Sequence, residues 1–202
     1  LKAEGWCYGI AVVDINQDGY QDFYICKSGN KNTPALQRRN YFFINNGLSP
    51  SPNGEGRGEV TFTESAAKMG LDDDGYDVQA AFFDYDKDGD LDMYLMRNSF
   101  VSYNRNNARE MKSDMETSST TDKLFRNDGP VVSLPSGGRK GGFTDVSKEA
   151  GITIEGFGLG VAVCDINKDN WPDVYVSNDF ITSDLVWINN HDGTFSNKAN
   201  EY

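Results

Sequence analysis

The segment DYDKDGDLDMYL, residues 84–95, crowds five aspartates into its first nine positions, between the apolar run AAFF and the strand-like MYL. Repulsion among these carboxylates is costly unless a cation sits among them. Oxygen ligands gathered around a hard cation point to calcium, which takes six to eight of them in flexible geometry. The spacing suits a loop that wraps one ion. With Asp84 as position 1, the side chains of Asp84, Asp86, Asp88 and Asp92 fall at positions 1, 3, 5 and 9, and the carbonyl of Asp90 falls at position 7. Gly89, at position 6, allows the sharp turn because glycine reaches positive φ without steric cost. A solvated acidic turn is the plain alternative for one such copy.

The copy is not isolated. DINQDGYQD occupies 14–22 and DINKDNWPD occupies 165–173. The corresponding ligands are Asp14, Asn16, Asp18, the Tyr20 carbonyl and Asp22, then Asp165, Asn167, Asp169, the Trp171 carbonyl and Asp173. Asn16 and Asn167 keep a side-chain oxygen at lower charge. Asn170 replaces the glycine of the third copy, and asparagine tolerates the left-handed region better than most residues. An EF-hand is excluded, because it requires a bidentate glutamate at position 12 between two helices. Here that position holds Ile25, Leu95 or Val176, and the flanks GIAVV, DFYIC, DMYLM and DVYVS are β-branched and aromatic. Each loop is therefore predicted to be the tip of a β-hairpin that holds one calcium ion, giving three sites.

The chain has 202 residues, 38% hydrophobic, with a net charge of −12, which describes a folded, acidic protein. The proposed ligands include ten side-chain carboxylates, and three divalent ions would halve the net charge. An acidic surface argues against nucleic acid. The basic stretches RNYFF (39–43) and GGRKGG (137–142) are too small to reverse that. No apolar run approaches the roughly 20 residues of a membrane span, and no signal peptide is visible. Cys7, Cys26 and Cys164 form no metal or redox spacing and no disulfide framework. Cys26 and Cys164 are expected as small core residues, and a Cys7–Cys26 bridge across the first hairpin is conceivable.

The loops belong to a longer repeat. Nine residues before each stands Gly5, Gly75 or Gly156, followed by Trp6, Tyr76 or Phe157. Three residues before stands Ala11, Ala81 or Ala162, and ten residues after the loop start stands Tyr24, Tyr94 or Tyr175. A third strand follows (NYFFINNG, KLFRNDG, LVWINNHDG), then a fourth (TFTES, GFTDV, GTFSN). The returns AAKMG and SKEAG suggest one helical turn closed by Gly70 or Gly151. The units run 1–70, 71–151 and 152–202. Four antiparallel strands per unit with no long helix predict an all-β chain of propeller blades. Insertions fall at roughly 27–39, 97–122 and 130–141, and in repeats such insertions gather on one face. Three blades are too few to close a ring. Leu1 aligns with Leu71 and Ile152, so the chain begins in phase with its repeat. The expectation is three consecutive blades of a larger propeller whose remaining blades lie outside this segment.

The pattern GFGLGVAVCDINKDNWPDVYV resembles the FG-GAP or VCBS repeat of integrin α-subunit propellers and bacterial surface proteins. The following YVSNDFITSDLVWINNHDGTFSN is similar to the propellers of the cartilage acidic protein family and its bacterial relatives. The FG pair itself survives only at Phe157–Gly158; the other units carry Trp6–Cys7 and Tyr76–Asp77. The resemblance implies a seven-bladed or similar propeller, secreted or held on a cell surface, with structural calcium in the hairpin joining the first two strands of each blade. It implies a protein or glycan partner bound through other loops. It also implies, for bacterial relatives, a lipid anchor and in some cases company with an outer-membrane nutrient importer.

Two function classes remain. One is a non-enzymatic binding or scaffolding propeller. The other is a propeller domain of a polysaccharide lyase or glycoside hydrolase, which needs two carboxylates at a set separation. Most carboxylates here are claimed by the loops, and no G-x-S-x-G, H-E-x-x-H or phosphate-cradling glycine loop is present. The sole histidine, His191, sits in the turn NNHDGTF and reads as a turn residue. Asp179, Phe180 and Asp184 could line a functional loop or simply a solvated connection. Tyr103, Arg105 and Arg109, in the long insertion, could touch a partner. The binding propeller, with no catalytic residue, is the favoured expectation.

Overall fold

A computed structural model of the chain describes residues 5–49, 58–98, 120–133, 139–179 and 182–201. Strands dominate, and they form three four-stranded antiparallel sheets. The first contains β1 (Trp6–Val13), β2 (Asp22–Ser28), β3 (Tyr41–Ser49) and β4 (Glu59–Glu64), paired in sequence order. The second contains β5 (Asp77–Phe83), β6 (Asp92–Arg97), β7 (Lys123–Asn127) and β10 (Phe143–Asp145). The third contains β11 (Gly158–Cys164), β12 (Asp173–Asn178), β13 (Leu185–Asn189) and β14 (Phe195–Asn197). A separate two-stranded hairpin, β8 (Val132–Ser133) with β9 (Arg139–Lys140), occupies the 130–141 insertion. The two helices, α1 (Ala35–Arg38) and α2 (Ala66–Met69), are single turns, and none of the described helices is long and apolar enough to cross a membrane. Gly70 ends α2 at φ 83, as the AAKMG pattern predicts.

The sheets stack face to face, and strand periodicity explains how. Residues alternate between faces, so in β2 Tyr24 and Cys26 point one way while Phe23 and Ile25 point the other. Tyr24, Cys26 and Phe42 of the first sheet pack with Met93, Leu95 and Phe125 of the second. The other face of the second sheet, with Tyr94, Met96 and Leu124, packs with Val174, Val176 and Trp187 of the third. All six residues of β6 are buried, which is why DMYLMR lacks a polar alternation. The first strands β1, β5 and β11 lie next to one another in that order.

Each first strand carries a bulge at one place: between Cys7 and Gly9, between Asp77 and Gln79, and between Gly158 and Gly160. At Gly158, the glycine of the surviving FG pair, an added Cβ would stand 2.5 Å from Met96 Cγ and 2.8 Å from the Arg97 carbonyl. That glycine lets the third sheet approach the backbone of the second.

Two cysteine expectations need correction. Cys26 is a buried core residue, but Cys164 is exposed. It shares its repeat position with Val13 and Phe83, both buried under the neighbouring sheet, whereas no described residue covers that face of the third sheet. The Cys7–Cys26 bridge does not form: both thiols are free, Cys7 is exposed, and Cys26 pairs across the ladder with Gly9.

Candidate metal loops at the strand 1–2 hairpins

The three acidic segments all connect the first and second strands of a sheet, as predicted. The bonding of their position-1 and position-5 carboxylates is the same in each. The position-1 aspartate accepts the backbone N–H groups of positions 5 and 6: Asp14 from Asp18 (3.0 Å) and Gly19 (2.8 Å), Asp84 from Asp88 and Gly89 (both 3.1 Å), and Asp165 from Asp169 (3.0 Å) and Asn170 (2.8 Å). The position-5 carboxylate accepts the N–H of position 7: Tyr20 and Trp171 at 2.8 Å and Asp90 at 2.9 Å. Position 6 is left-handed in all three, with φ 87 at Gly19, 96 at Gly89 and 69 at Asn170. Position 4 is left-handed too, at Gln17, Lys87 and Lys168, a feature that nothing in those side chains announces.

In the second loop one carboxylate oxygen from each of Asp84, Asp86 and Asp88 lies within 4.8 Å of the others. Burial and the Asp88 carboxylate push the Asp86 carboxyl up. Among the described residues no lysine or arginine pairs with any of the three: Arg126 is held by Asp128 at 2.8 Å, and Lys87 lies over the Trp171 ring at 4.6 Å. In the first and third loops the position-3 amide turns inward instead, with Asn16 donating to Asp18 at 2.8 Å and Asn167 to Asp169 at 2.6 Å. The donor set of the second loop is all oxygen and rich in carboxylate, which fits a hard divalent cation.

The position-9 aspartates stand behind the loops. Asp22, Asp92 and Asp173 have no exposed surface. Each accepts the N–H of position 2 (Ile15 3.1 Å, Tyr85 3.1 Å, Ile166 2.8 Å) on one oxygen. The other oxygen accepts the N–H of the asparagine in the third strand (Asn45 2.8 Å, Asn127 2.8 Å, Asn189 2.9 Å). Burial pushes the Asp92 carboxyl up to about 7. The same asparagines donate their side-chain amides back to the carbonyls of Gln21, Leu91 and Pro172. The repeated asparagine therefore locks the loop to the third strand.

The loops sit along one rim. Gln17 donates its amide to the Gly89 carbonyl at 3.3 Å, joining the first loop to the second. Lys87 over Trp171 joins the second to the third. Trp171, read from sequence as a carbonyl donor, also stacks its ring on His191 at 4.7 Å. His191 is a turn residue at φ 66, and its Nε2 lies 2.7 Å from Asp169.

At the opposite end, each second-strand tyrosine meets an Asx residue placed just before the third strand. Asn40 donates to the Tyr24 hydroxyl at 2.8 Å, the Tyr94 hydroxyl donates to Asp122 at 2.7 Å, and the Tyr175 hydroxyl donates to Asp184. Asp184 also accepts the Asn178 N–H at 2.8 Å. It is thus a bonded structural residue, and Asp179 caps the connection by donating its backbone N–H to Phe157. Sequence reading named Asp184 only as a possible loop residue and missed the shared role, although the signal is there: Asn40, Asp122 and Asp184 each directly precede a third strand. Phe180, Tyr103, Arg105 and Arg109 lie outside the described residues.

That end also holds a cleft of about 500 Å³, lined by Asp73, Arg97, Lys123, Asp145 and Ser147 among others. Two shallower ones, of about 360 and 310 Å³, run beside the first loop and Met69. Comparison with models of known families gave no match, and no curated protein matches the chain.

Proposed function

We propose that the chain is part of a calcium-stabilised β-propeller of the FG-GAP or VCBS type, a non-enzymatic module that presents loops to a protein or glycan at a cell surface or outside the cell. The observation that carries this reading is the convergence of Asp84, Asp86 and Asp88 without a basic partner among the described residues, on a loop whose position-1 and position-5 bonding is repeated twice more on the same rim. Calcium in this reading is structural. The side chains at positions 1, 3, 5 and 9 hold it, and the position-7 carbonyl adds a ligand. The ion neutralises like charges and ties two strand ends together. Three stacked sheets fall short of the four at which radial arrays begin to close, so further sheets complete the ring.

One feature at the cleft supports a binding role over catalysis. Burial pushes the Asp122 carboxyl up to about 7 beside the large cleft, the range of a general acid. Both of its oxygens, however, are taken, one by the Tyr94 hydroxyl and one by the Arg97 backbone N–H. Extracellular calcium modules bind at about 10⁻⁴–10⁻³ M, which suits a location where calcium is plentiful.

Isothermal titration of the chelator-treated chain with calcium tests the reading. Saturable binding is expected, tightest at loop 84–92 because its four proposed carboxylate ligands exceed the three of the other loops, and weakened most by Asp86→Ala. Absence of both heat and thermal stabilisation at millimolar calcium would overturn it.

A further inference from the structure

The two contacts between neighbouring loops use the same repeat positions. Position 4 of one loop reaches the turn of the next. Gln17, at position 4 of the first loop, donates to the carbonyl of Gly89, at position 6 of the second. Lys87, at position 4 of the second, places its ammonium 4.6 Å from the ring centre of Trp171, at position 7 of the third. Position 4 has positive φ in every loop, 56 at Gln17, 62 at Lys87 and 65 at Lys168. None of these is a glycine or an asparagine, so the conformation is imposed by the loop rather than by the residue. The positions on either side, 3 and 5, are proposed ligands. They therefore set the direction in which the position-4 side chain leaves the loop.

The contact made by Lys87 leads on to a ligand of the third loop. Trp171 donates its backbone N–H to one Asp169 oxygen at 2.8 Å, and its ring stacks on His191 at 4.7 Å with an interplanar angle of 16°. The His191 Nε2 lies 2.7 Å from the other Asp169 oxygen. Asp169 is position 5 of the third loop. Lys87, Trp171, His191 and Asp169 thus touch in succession, from between two ligands of the second loop to a ligand of the third. Bonded and stacked neighbours of this kind orient the groups that hold a metal. The contact made by Gln17, in contrast, ends on a backbone carbonyl at 3.3 Å.

We propose that position 4 couples neighbouring loops, so that an ion held at 84–92 raises the calcium affinity of loop 165–173 through Lys87 and Trp171. The proposal rests on the calcium reading and adds a dependence between sites that independent loops would not show. An ion bound by Asp86 and Asp88 fixes the backbone of Lys87 between them. The ammonium then stays over the Trp171 ring, and Trp171 holds Asp169 in place before the third loop closes on its own ion. Ordering done by the first ion does not have to be repeated for the second, which is positive cooperativity. An ammonium over an aromatic ring at an exposed site strengthens an equilibrium by about two- to fivefold, and that is the size of coupling expected. Linkage makes it reciprocal: an ion in the third loop strengthens the second by the same factor.

Calcium titration followed by nuclear magnetic resonance reads each loop by itself, through the amide signals of Gly19, Gly89 and Asn170 at position 6. The variant Asp86→Ala/Asp88→Ala disables the second loop. Removing two carboxylates changes its charge as much as binding one divalent ion does, so the third loop feels the same net charge beside it as in the loaded parent. The calcium midpoint of the Asn170 signal is expected to rise about two- to fivefold in this variant. In a Lys87→Gln chain, which keeps every proposed ligand, the same two alanines are expected to leave the Asn170 midpoint where it is. The spectra also show whether each variant is folded. An Asn170 midpoint that does not move when the second loop is disabled overturns the coupling and leaves the calcium reading in place. A rise of equal size with and without Lys87 overturns the route through Trp171. Position-6 signals that ignore millimolar calcium in the parent chain overturn the calcium reading, and the coupling with it.

Discussion

At the end of the second sheet away from loop 84–92, carboxylates crowd as densely as they do in the loop, yet they are matched from within the chain. Arg97, 3% accessible, donates its Nε to Asp77 at 2.9 Å and pairs with Asp73 through its other arm. Lys123 reaches Asp73 at 3.3 Å and Asp145 at 2.7 Å. Burial raises the Asp73 carboxyl, but Arg97 and Lys123 outweigh it and hold the group below the usual range. In the loop Arg126 is bonded to Asp128, and three aspartates face one another with no lysine or arginine paired to them among the described residues. One end carries its counter-charges within the chain. The other gathers carboxylates that no described lysine or arginine pairs with.

The largest effect that separates the two ends is at Arg97. Replacing it by Met takes the guanidinium from the buried Asp77 and leaves Asp73 to Lys123 alone, at a cost of about 3–5 kcal/mol. Urea denaturation is expected to show the same loss with calcium and with chelator. A loss that calcium abolishes would erase the distinction between the ends.

Chelation comes next. If calcium is present at a hundredfold excess over its dissociation constant, its removal costs about 2.7 kcal/mol. The double variant Asp86→Asn/Asp88→Asn sharpens the point through a change of sign. It should be less stable than the parent in calcium and more stable in chelator, because the amides remove a repulsion that only an ion can otherwise relieve. Thermal melts in both buffers check this, and a variant less stable than the parent in both would count against the loop being a cation site.

A third effect concerns pH at the neutralised end. Burial pushes Asp122 up to about 7, from an ordinary value of 3.8. The folded protein therefore holds this proton more tightly than the unfolded chain. Its contribution to stability is full below pH 4, declines as pH rises and is gone above about pH 7. Asp122→Asn removes that decline. The first sheet already uses this solution, with Asn40 donating to Tyr24 where Asp122 accepts from Tyr94. The variant should match the parent below about pH 4, draw ahead of it as pH rises, and exceed it most at pH 8 in denaturation midpoint. Parallel pH profiles for the two proteins would show that Asp122 is ionised throughout.

The loops were legible in the sequence because their chemistry is local: aspartates at alternate positions, a residue that tolerates positive φ, and β-branched flanks within a dozen residues. The four-strand unit was legible because it recurs three times. What escaped reading was set by partners far along the chain. Cys164 looks like Val13 and Phe83 in its strand, and only the absence of a covering sheet among the described residues exposes it. The asparagines at 45, 127 and 189 were visible as repeat marks, but their task depends on a carbonyl beside the position-9 aspartate, 24, 36 or 17 residues earlier. Asn40, Asp122 and Asp184 sit at variable distances from their tyrosines because the insertions differ in length, so alignment on the loops alone hides them.

The smallest effects lie inside the loops and test whether their backbone, rather than their charge, is held in common. At Gly89 and Gly19 an added Cβ would meet nothing within 4 Å, so a substitution there carries only the conformational cost of a left-handed residue. Gly89→Ala and Gly19→Ala should each cost about 1–2 kcal/mol. Asn170 already occupies that region at φ 69, and Asn170→Gly should be nearly neutral, within about 0.5 kcal/mol, since asparagine bears the conformation well. Chelator-treated samples give the cleanest comparison, because ion binding cannot then compensate. Equal losses at Gly19 and Gly89 would mean that the two loops hold one backbone regardless of their three or four carboxylates. A much smaller loss at Gly89 would mean that repulsion had already loosened the more acidic loop, and that the ion sets its conformation as well as its charge.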